Sequence, residues 1–361
     1  MRLIEQGVLK PQEISEQLFH KLEVQLFPYL KRIQFGGNNF GEPLLASEWD
    51  SFFERVRKDK IRISLVTNGK LLTPERIGAM VDAGVEFNFS LEGATPESYE
   101  KVRGYKFEEF VKIVGETCRQ KVKKTDTCAR VNLGFTARYD NIREIRELIT
   151  MAAGLGVDRV TITHFVPWQE NQRQQSLVYH EELSNKMFDV AKKKALESGI
   201  LIDLPELFLS DDNNEADCSE RKQSKPNPPC YHPWMSVSIN ERGDVMPCCA
   251  TSVVMGNLNN ASFADIWNGP RYRKLRRTVN SSRPLSFCCN CALRGIEVGS
   301  NKALSFCSDE EIILGAIGGK AGVSSPSGLR QIKKRLLETT WGRKSIPFLT
   351  EVYRRHIAFY C

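Results

Sequence analysis

Between residues 32 and 163 the sequence alternates short runs of β-branched and aromatic residues with longer amphipathic ones, and this alternation constrains the fold more than any other feature. Strand-like runs lie at residues 32–35, 61–66, 85–89, 131–136 and 159–163. Two of the intervening segments open on Thr73-Pro74-Glu75 and Thr95-Pro96-Glu97, a capping hydroxyl followed by proline at the first helical position. Strands separated by single helices predict a parallel sheet, hence an α/β fold. Asn141 is expected to cap the helix between the last two strands of this series, with Glu144 placed for a capping-box contact. Ahead of the series, Ile14, Leu18, Leu22 and Leu26 recur four apart and predict an amphipathic helix within residues 11–30.

Polar residues and glycines collect just after the strands: Gly36-Gly37-Asn38-Asn39-Phe40-Gly41-Glu42-Pro43, then Thr67-Asn68-Gly69, then Ser90-Leu91-Glu92-Gly93. Gly and Asn are ordinary turn formers, so each loop alone says little. As a series they mark the C-terminal strand edge, where barrels and open α/β sheets bind ligands.

The chain has 361 residues, enough for one sizeable domain and a smaller one. No apolar run approaches the ~20 residues of a membrane span, and the N-terminus lacks the apolar core of a signal peptide. A cytoplasmic protein is expected. Eleven irregularly spaced cysteines then fit reduced thiols and a metal site better than disulfides. The net charge of +7 comes from basic residues scattered among acids, which argues against a nucleic-acid partner.

Most clustered cysteines fall between Cys230 and Cys291. Residues 235–239 alternate as a strand and end in Asn240-Glu241-Arg242-Gly243-Asp244, a hairpin turn signal. Pro247-Cys248-Cys249 follows, residues 263–275 read as one helix, and Cys288-Cys289-Asn290-Cys291 closes the stretch. Thiolates are soft ligands for iron–sulfur clusters or zinc, and Cys288-x-x-Cys291 can present both sulfurs to one centre. Cys230 and one of Cys248 or Cys249 would complete four ligands, because neighbours on extended backbone face opposite ways. Ordinary buried cysteines are the competing explanation.

The run Cys230-x-x-Pro233-Trp234, the turn Gly243-Asp244-Val245-x-Pro247-Cys248-Cys249, Gly256-Asn257-Leu258, Asp265-Ile266-Trp267-Asn268 and Cys288-x-x-Cys291 resemble the SPASM or twitch extension of radical S-adenosylmethionine (radical SAM) enzymes. That resemblance implies an auxiliary [4Fe-4S] cluster on Cys230, Cys248, Cys288 and Cys291, with Cys248 favoured over Cys249. The strand-end loops resemble the radical SAM core, a partial (β/α)6 TIM-like barrel. By this resemblance Gly41, Glu42 and Pro43 match the end of a Gly-Gly-Glu-Pro motif that meets the amino group of S-adenosylmethionine; a carboxylate is a suitable acceptor for an ammonium. Ser90 and Glu92 would hold ribose hydroxyls, Thr67 and Asn68 would line the same pocket, and Arg138 would pair with a carboxylate, a solvated arginine being the alternative.

One family feature is missing from the sequence. No Cys-x-x-x-Cys-x-x-Cys occurs; the first cysteines are Cys118 and Cys128. The chain is therefore expected to be truncated at its N-terminus relative to the family, with the first barrel strand absent and residues 32–35 left as a sheet edge. The expected organisation is a barrel over residues 1–209, a linker at 210–229, the cluster domain at 230–306 and a C-terminal extension of unassigned role at 307–361. The functions implied are hydrogen abstraction from a peptide, protein or small-molecule substrate, with an electron donor as a further partner; or a non-catalytic binding protein; or a structural zinc protein.

Overall fold

The computed structural model describes residues 13–37, 41–167, 170–205, 207–208, 229–289 and 358–360. Cys291, Asn38–Phe40, nearly all of the expected linker and nearly all of the C-terminal extension lie outside them.

Helix α1 (Glu16–Gln25) begins where Ser15 accepts a hydrogen bond from the Leu18 amide at 3.2 Å. It buries Leu18, Phe19 and Leu22, and Phe19 stacks at 4.0 Å on Phe52 of α2 (Trp49–Lys58). Each such side chain contributes roughly 1.5–3 kcal/mol when removed from water. Strand β1 (Arg32–Phe35) precedes α2, and the βα unit then repeats. In order come β2 (Arg62–Thr67), α3 (Pro74–Asp82), β3 (Glu86–Leu91), α4 (Pro96–Arg103), α5 (Phe107–Lys123), β4 (Arg130–Ala137), α6 (Ile145–Leu155), β5 (Arg159–His164), α7 (Glu181–Ser198) and β6 (Leu201–Asp203). The expected caps form: Thr73 Oγ1 accepts from the Arg76 amide, and Thr95 and Ser98 build a capping box.

Strands β1 to β6 lie side by side in chain order and all parallel. This is the parallel α/β sheet the alternation predicts, and it is consistent with the partial barrel that the family resemblance implies, since each crossover returns the chain one position along the sheet. Ile33, Ile63, Leu65, Phe87, Phe89, Val131, Leu133, Phe135, Val160 and Ile162 occupy alternate positions of these strands and are buried, forming the core under the helices.

Beyond β6 the chain is described again from Pro229. A short helix α8 (His232–Met235) leads into β7 (Ser236–Ile239), β8 (Asp244–Met246) and β9 (Gly256–Asn257). The turn expected at Asn240–Asp244 closes an antiparallel hairpin between β7 and β8. Asp244 accepts from Asn240 Nδ2 at 3.0 Å and from Asn257 Nδ2 at 2.8 Å, and these bonds hold its carboxyl below the usual range. The single helix expected at 263–275 is instead two, α9 (Phe263–Trp267) and α10 (Pro270–Thr278), because Gly269-Pro270 starts a new helix rather than continuing the old one. Helix α11 (Ser286–Cys289) follows. This region docks on α1: Lys21 Nζ donates to the Leu258 carbonyl at 3.2 Å, and Gln25 Oε1 accepts from the Phe263 amide at 2.7 Å.

The sheet-edge expectation for residues 32–35 is corrected. Strand β10 (Ala358–Tyr360) lies parallel beside β1, with Ile33 opposite Phe359, and pairs on its other side with β7. An unpaired edge accepts a strand from any distance along the chain, and such pairing leaves no local sequence signal. No described helix is long and apolar enough to cross a membrane.

Candidate functional site

The strand positions that alternate with the buried apolar ones carry polar side chains, bonded to one another across the sheet. Arg32 Nη2 donates to Ser64 Oγ at 3.0 Å and to Glu86 Oε2 at 2.8 Å. Asn88 Nδ2 reaches Ser64 Oγ at 2.9 Å, and Asn132 Nδ2 reaches both Glu86 Oε1 and Asn88 Oδ1 at 3.1 Å. On the far strands Arg159 Nη1 holds both Asp203 oxygens, at 2.7 and 2.8 Å. Such a row keeps the inner face polar without leaving a buried group unpaired.

Glu42 lies at the C-terminal edge, brought over β2 by the loop after β1. Gly36 makes this route possible: its φ is +78°, and a Cβ there would meet the Val66 carbonyl oxygen at 2.6 Å. Thr67 Oγ1 donates to Glu42 Oε1 at 2.8 Å, the Asn68 amide to Oε2 at 2.8 Å, and the Leu44 amide to Oε1 at 3.4 Å. The last is a helix-capping contact; the first two are not. Burial pushes the Glu42 carboxyl above its ordinary value, opposed by those hydrogen bonds and by the nearby charge of Arg103. All three donors are neutral. Among the described residues no lysine, arginine or histidine forms an ion pair with Glu42.

Beside it, Arg103 at the end of α4 grips Glu92, with Nη2 on Oε1 at 2.5 Å and Nε on Oε2. Tyr105 Oη donates to the Asn68 carbonyl at 3.4 Å. The chain turns from β3 into α4 at Gly93, where a Cβ would stand 2.2 Å from Ser98 Oγ and 2.6 Å from the Tyr99 nitrogen. Glu42, Thr67, Asn68 and Glu92 thus share one edge, joined by Gly41 and Pro43 in the loop and by half-buried Ser90 at the end of β3. Arg138 lies after β4 and pairs with Asp140 at 3.0 Å.

Two sequence expectations at this edge are corrected. Asn141 does not cap with its side chain; its amide bridges the Glu92 and Thr136 carbonyls, each at 2.9 Å, while its Oδ1 accepts from the Arg138 amide at 2.7 Å. Glu144 reaches instead to the Ala94 amide at 2.6 Å and Ser98 Oγ at 2.7 Å. Both residues tie the β4 loop to the β3 loop, a long-range task that a local capping pattern imitates. Arg103 and Tyr105 were missed by sequence reasoning, since helix-terminal residues carry no sign of which strand end they face.

In the smaller region Cys230, Cys248 and Cys288 are half-buried. Helix α10 neighbours two of them. Asn280, just past its end, accepts from the Cys230 amide at 2.8 Å and donates to the Cys230 carbonyl at 3.0 Å. Burial raises the pKa of the Tyr272 hydroxyl, opposed by the charge of Arg276 and reinforced by that of the Cys248 sulfur. Arg276 donates to the Pro233 and Trp267 carbonyls, each at 2.8 Å, and lies over the Trp267 ring at 4.4 Å. Burial lowers its pKa to about 10. Among the described residues no three His, Cys, Asp or Glu side chains come together around a single ion. A four-iron cluster requires no such arrangement, because each thiolate binds a different iron and the sulfurs stand further apart.

Comparison with known proteins matches the two regions to two separate models. A model of the radical SAM superfamily matches residues 8–152, and one described as an iron–sulfur cluster-binding domain (SPASM) matches residues 230–292. Among curated proteins the chain is 25% identical over 298 residues to the tungsten-containing aldehyde ferredoxin oxidoreductase cofactor-modifying protein of Pyrococcus furiosus, covering 78% of this chain and 80% of that one. It is 23% identical over 267 residues to PqqA peptide cyclase of Gluconobacter oxydans, covering 71% and 68%. Streptococcus suis SuiB bound to S-adenosylmethionine has a similar fold, with a TM-score of 0.54 at 16% identity, over 77% of this chain and 64% of SuiB, less than two thirds of its length. The anSMEcpe structure with bound AdoMet and a peptide gives 0.54 at 14% identity, over 72% and 74%. With both of its regions matched in order, the chain belongs to the radical SAM superfamily, in the branch that carries a SPASM iron–sulfur domain.

Proposed function

We propose that the chain binds S-adenosylmethionine at the C-terminal edge of β1 to β4 and one [4Fe-4S] cluster through Cys230, Cys248, Cys288 and Cys291, and that its substrate is a peptide. The observation that carries the first part is the Glu42 carboxylate. It is desolvated, held in place by three neutral donors and unpaired with any described cation, so the amino group of S-adenosylmethionine supplies the missing positive charge. Thr67 and Asn68 orient the carboxylate, Arg103 fixes Glu92 toward the ribose end, Ser90 offers a hydroxyl, and Gly41 and Pro43 shape the loop. Arg138 stands one strand further, for a carboxylate of ligand or substrate. Peptide as substrate class rests on the relatives, a peptide cyclase and a peptide-bound neighbour.

The donor set in residues 230–291 fits an iron–sulfur cluster: four thiolates, two of them a Cys-x-x-Cys pair, with Arg276 bonded to the carbonyl of Pro233, three residues after Cys230. When bound, such a cluster supplies electron relay or a staple for the small domain. The fit fails for the cluster that opens S-adenosylmethionine in this family, because no Cys-x-x-x-Cys-x-x-Cys occurs in the sequence, Cys118 is buried in α5 and Cys128 is exposed ten residues on.

Calorimetric titration of S-adenosylmethionine into wild type, Glu42→Gln and Glu42→Ala tests the pocket. Saturable binding in wild type that both variants weaken supports it; equal binding by all three, or none by wild type, rejects it. Formation of 5'-deoxyadenosine under reducing conditions separates cleavage from binding alone.

A further inference from the structure

Two buried donors on α10 lack any partner among the described residues, and they stand one helical turn apart. Tyr272 Oη and Arg276 Nη2 are both sealed from solvent with no acceptor, and spacing of i, i+4 places them on one face of the helix. A buried donor left unsatisfied costs roughly 1–3 kcal/mol, more when charged. Arg276 has no freedom to turn away and satisfy itself. Its Nε and Nη1 are fixed on the Pro233 and Trp267 carbonyls, and its plane lies 4.4 Å over Trp267 and 4.9 Å over Tyr272. The helix that carries these two donors is tied to the cysteine region by geometry: Arg276 holds the carbonyl of Pro233, three residues after Cys230, and Asn280, just past the helix end, bonds both the amide and the carbonyl of Cys230.

We propose that Tyr272 and Arg276 are positioning residues for the cluster, donating hydrogen bonds to its sulfur atoms and raising its reduction potential. The inference rests on the cluster-binding reading above. Reduction brings one electron from an external donor and adds one negative charge to the cluster. A hydroxyl hydrogen and a guanidinium held at its side favour that more negative state, and hydrogen bonds to cluster sulfur are a recognised lever on potential. The arrangement also accounts for the two orphaned donors, which acquire acceptors only when the cluster is in place.

The test is a redox titration of the anaerobically prepared, cluster-loaded protein, followed by EPR, for wild type, Tyr272→Phe and Arg276→Gln. Tyr272→Phe removes one oxygen that has no protein partner, so it is expected to keep its iron, to melt in the cluster-free form no lower than wild type, and to shift the midpoint potential negative. Arg276→Gln removes a full charge and is expected to shift it further in the same direction. Where that variant fails to fold, Tyr272→Phe alone decides. Full iron with an unchanged potential in Tyr272→Phe overturns the inference while leaving the cluster reading intact. A wild-type protein that binds no iron removes both.

Discussion

The barrel edge and the cysteine region treat their polar groups in opposite ways. Around Glu42 the carboxylate, carboxamide and guanidinium groups are bonded to one another or to the backbone: Thr67 and Asn68 on Glu42, Arg103 on Glu92, Asp140 on Arg138, Asn141 across three backbone groups; Tyr99 Oη, packed on Tyr105, is a buried exception. On α10 two donors are buried with no partner among the described residues. Under the proposed function, the first pattern is that of a pocket formed before its ligand arrives. The second is a site completed only by what it holds, as expected where a metal centre contributes folding energy.

The largest effect that sharpens this contrast comes from the cysteines. Cys288→Ala or Cys248→Ala is expected to abolish cluster binding and, by hydrogen exchange, to deprotect β7, β8 and α10 while β2 to β5 stay protected. Equal deprotection of both regions would break the comparison. Next is Gly93→Ala, which puts a Cβ against the Tyr99 backbone nitrogen as well as Ser98; overpacking of this kind costs roughly 1–3 kcal/mol, measured by denaturant unfolding, and the barrel should lose it whether or not the cluster is bound.

Glu42→Gln follows, with two readouts of opposite sign. S-adenosylmethionine affinity is expected to fall about 10- to 100-fold, corresponding to the ~1.5–3 kcal/mol of a hydrogen bond to a charged group. Unliganded stability at neutral pH should not fall. Because burial raises the folded pKa of Glu42 above its unfolded value, the folded state binds the proton more tightly, and stability declines as pH rises from the ordinary carboxylate value through the raised one. The Gln variant should lose that decline.

The smallest effect lies away from both sites. Arg55 holds Glu23 with Nε at 2.9 Å and Nη2 at 2.5 Å, and this lowers the Glu23 pKa to about 2. Its contribution is therefore complete above pH 4.5, the unfolded value, and is lost as pH falls toward 2. Glu23→Gln should cost about 1 kcal/mol at neutral pH and nothing near pH 2.

Much of the fold was legible because its signals are local. Threonine before proline marked two helix starts correctly, the Asn240–Asp244 turn closed the expected hairpin, and alternation gave five of the six parallel strands. The misses are long-range. Asn141 and Glu144 fit a capping pattern yet serve a neighbouring loop, Arg103 meets Glu92 eleven residues away in sequence, and β10 reaches β1 from the far end of the chain. Leu201–Asp203 was too short to stand out as a strand. Tyr272 and Arg276 carry no signal of their own, because nothing in a sequence reports that a donor lacks a partner.

The most direct test of the central claim is metal and sulfide analysis of anaerobically purified protein beside the Cys288→Ala variant, with visible and EPR spectra. The account predicts about four irons and four sulfides per chain, as for one [4Fe-4S] cluster, and their loss in the variant. Zinc in place of iron, or iron retained when Cys288 is gone, would contradict it.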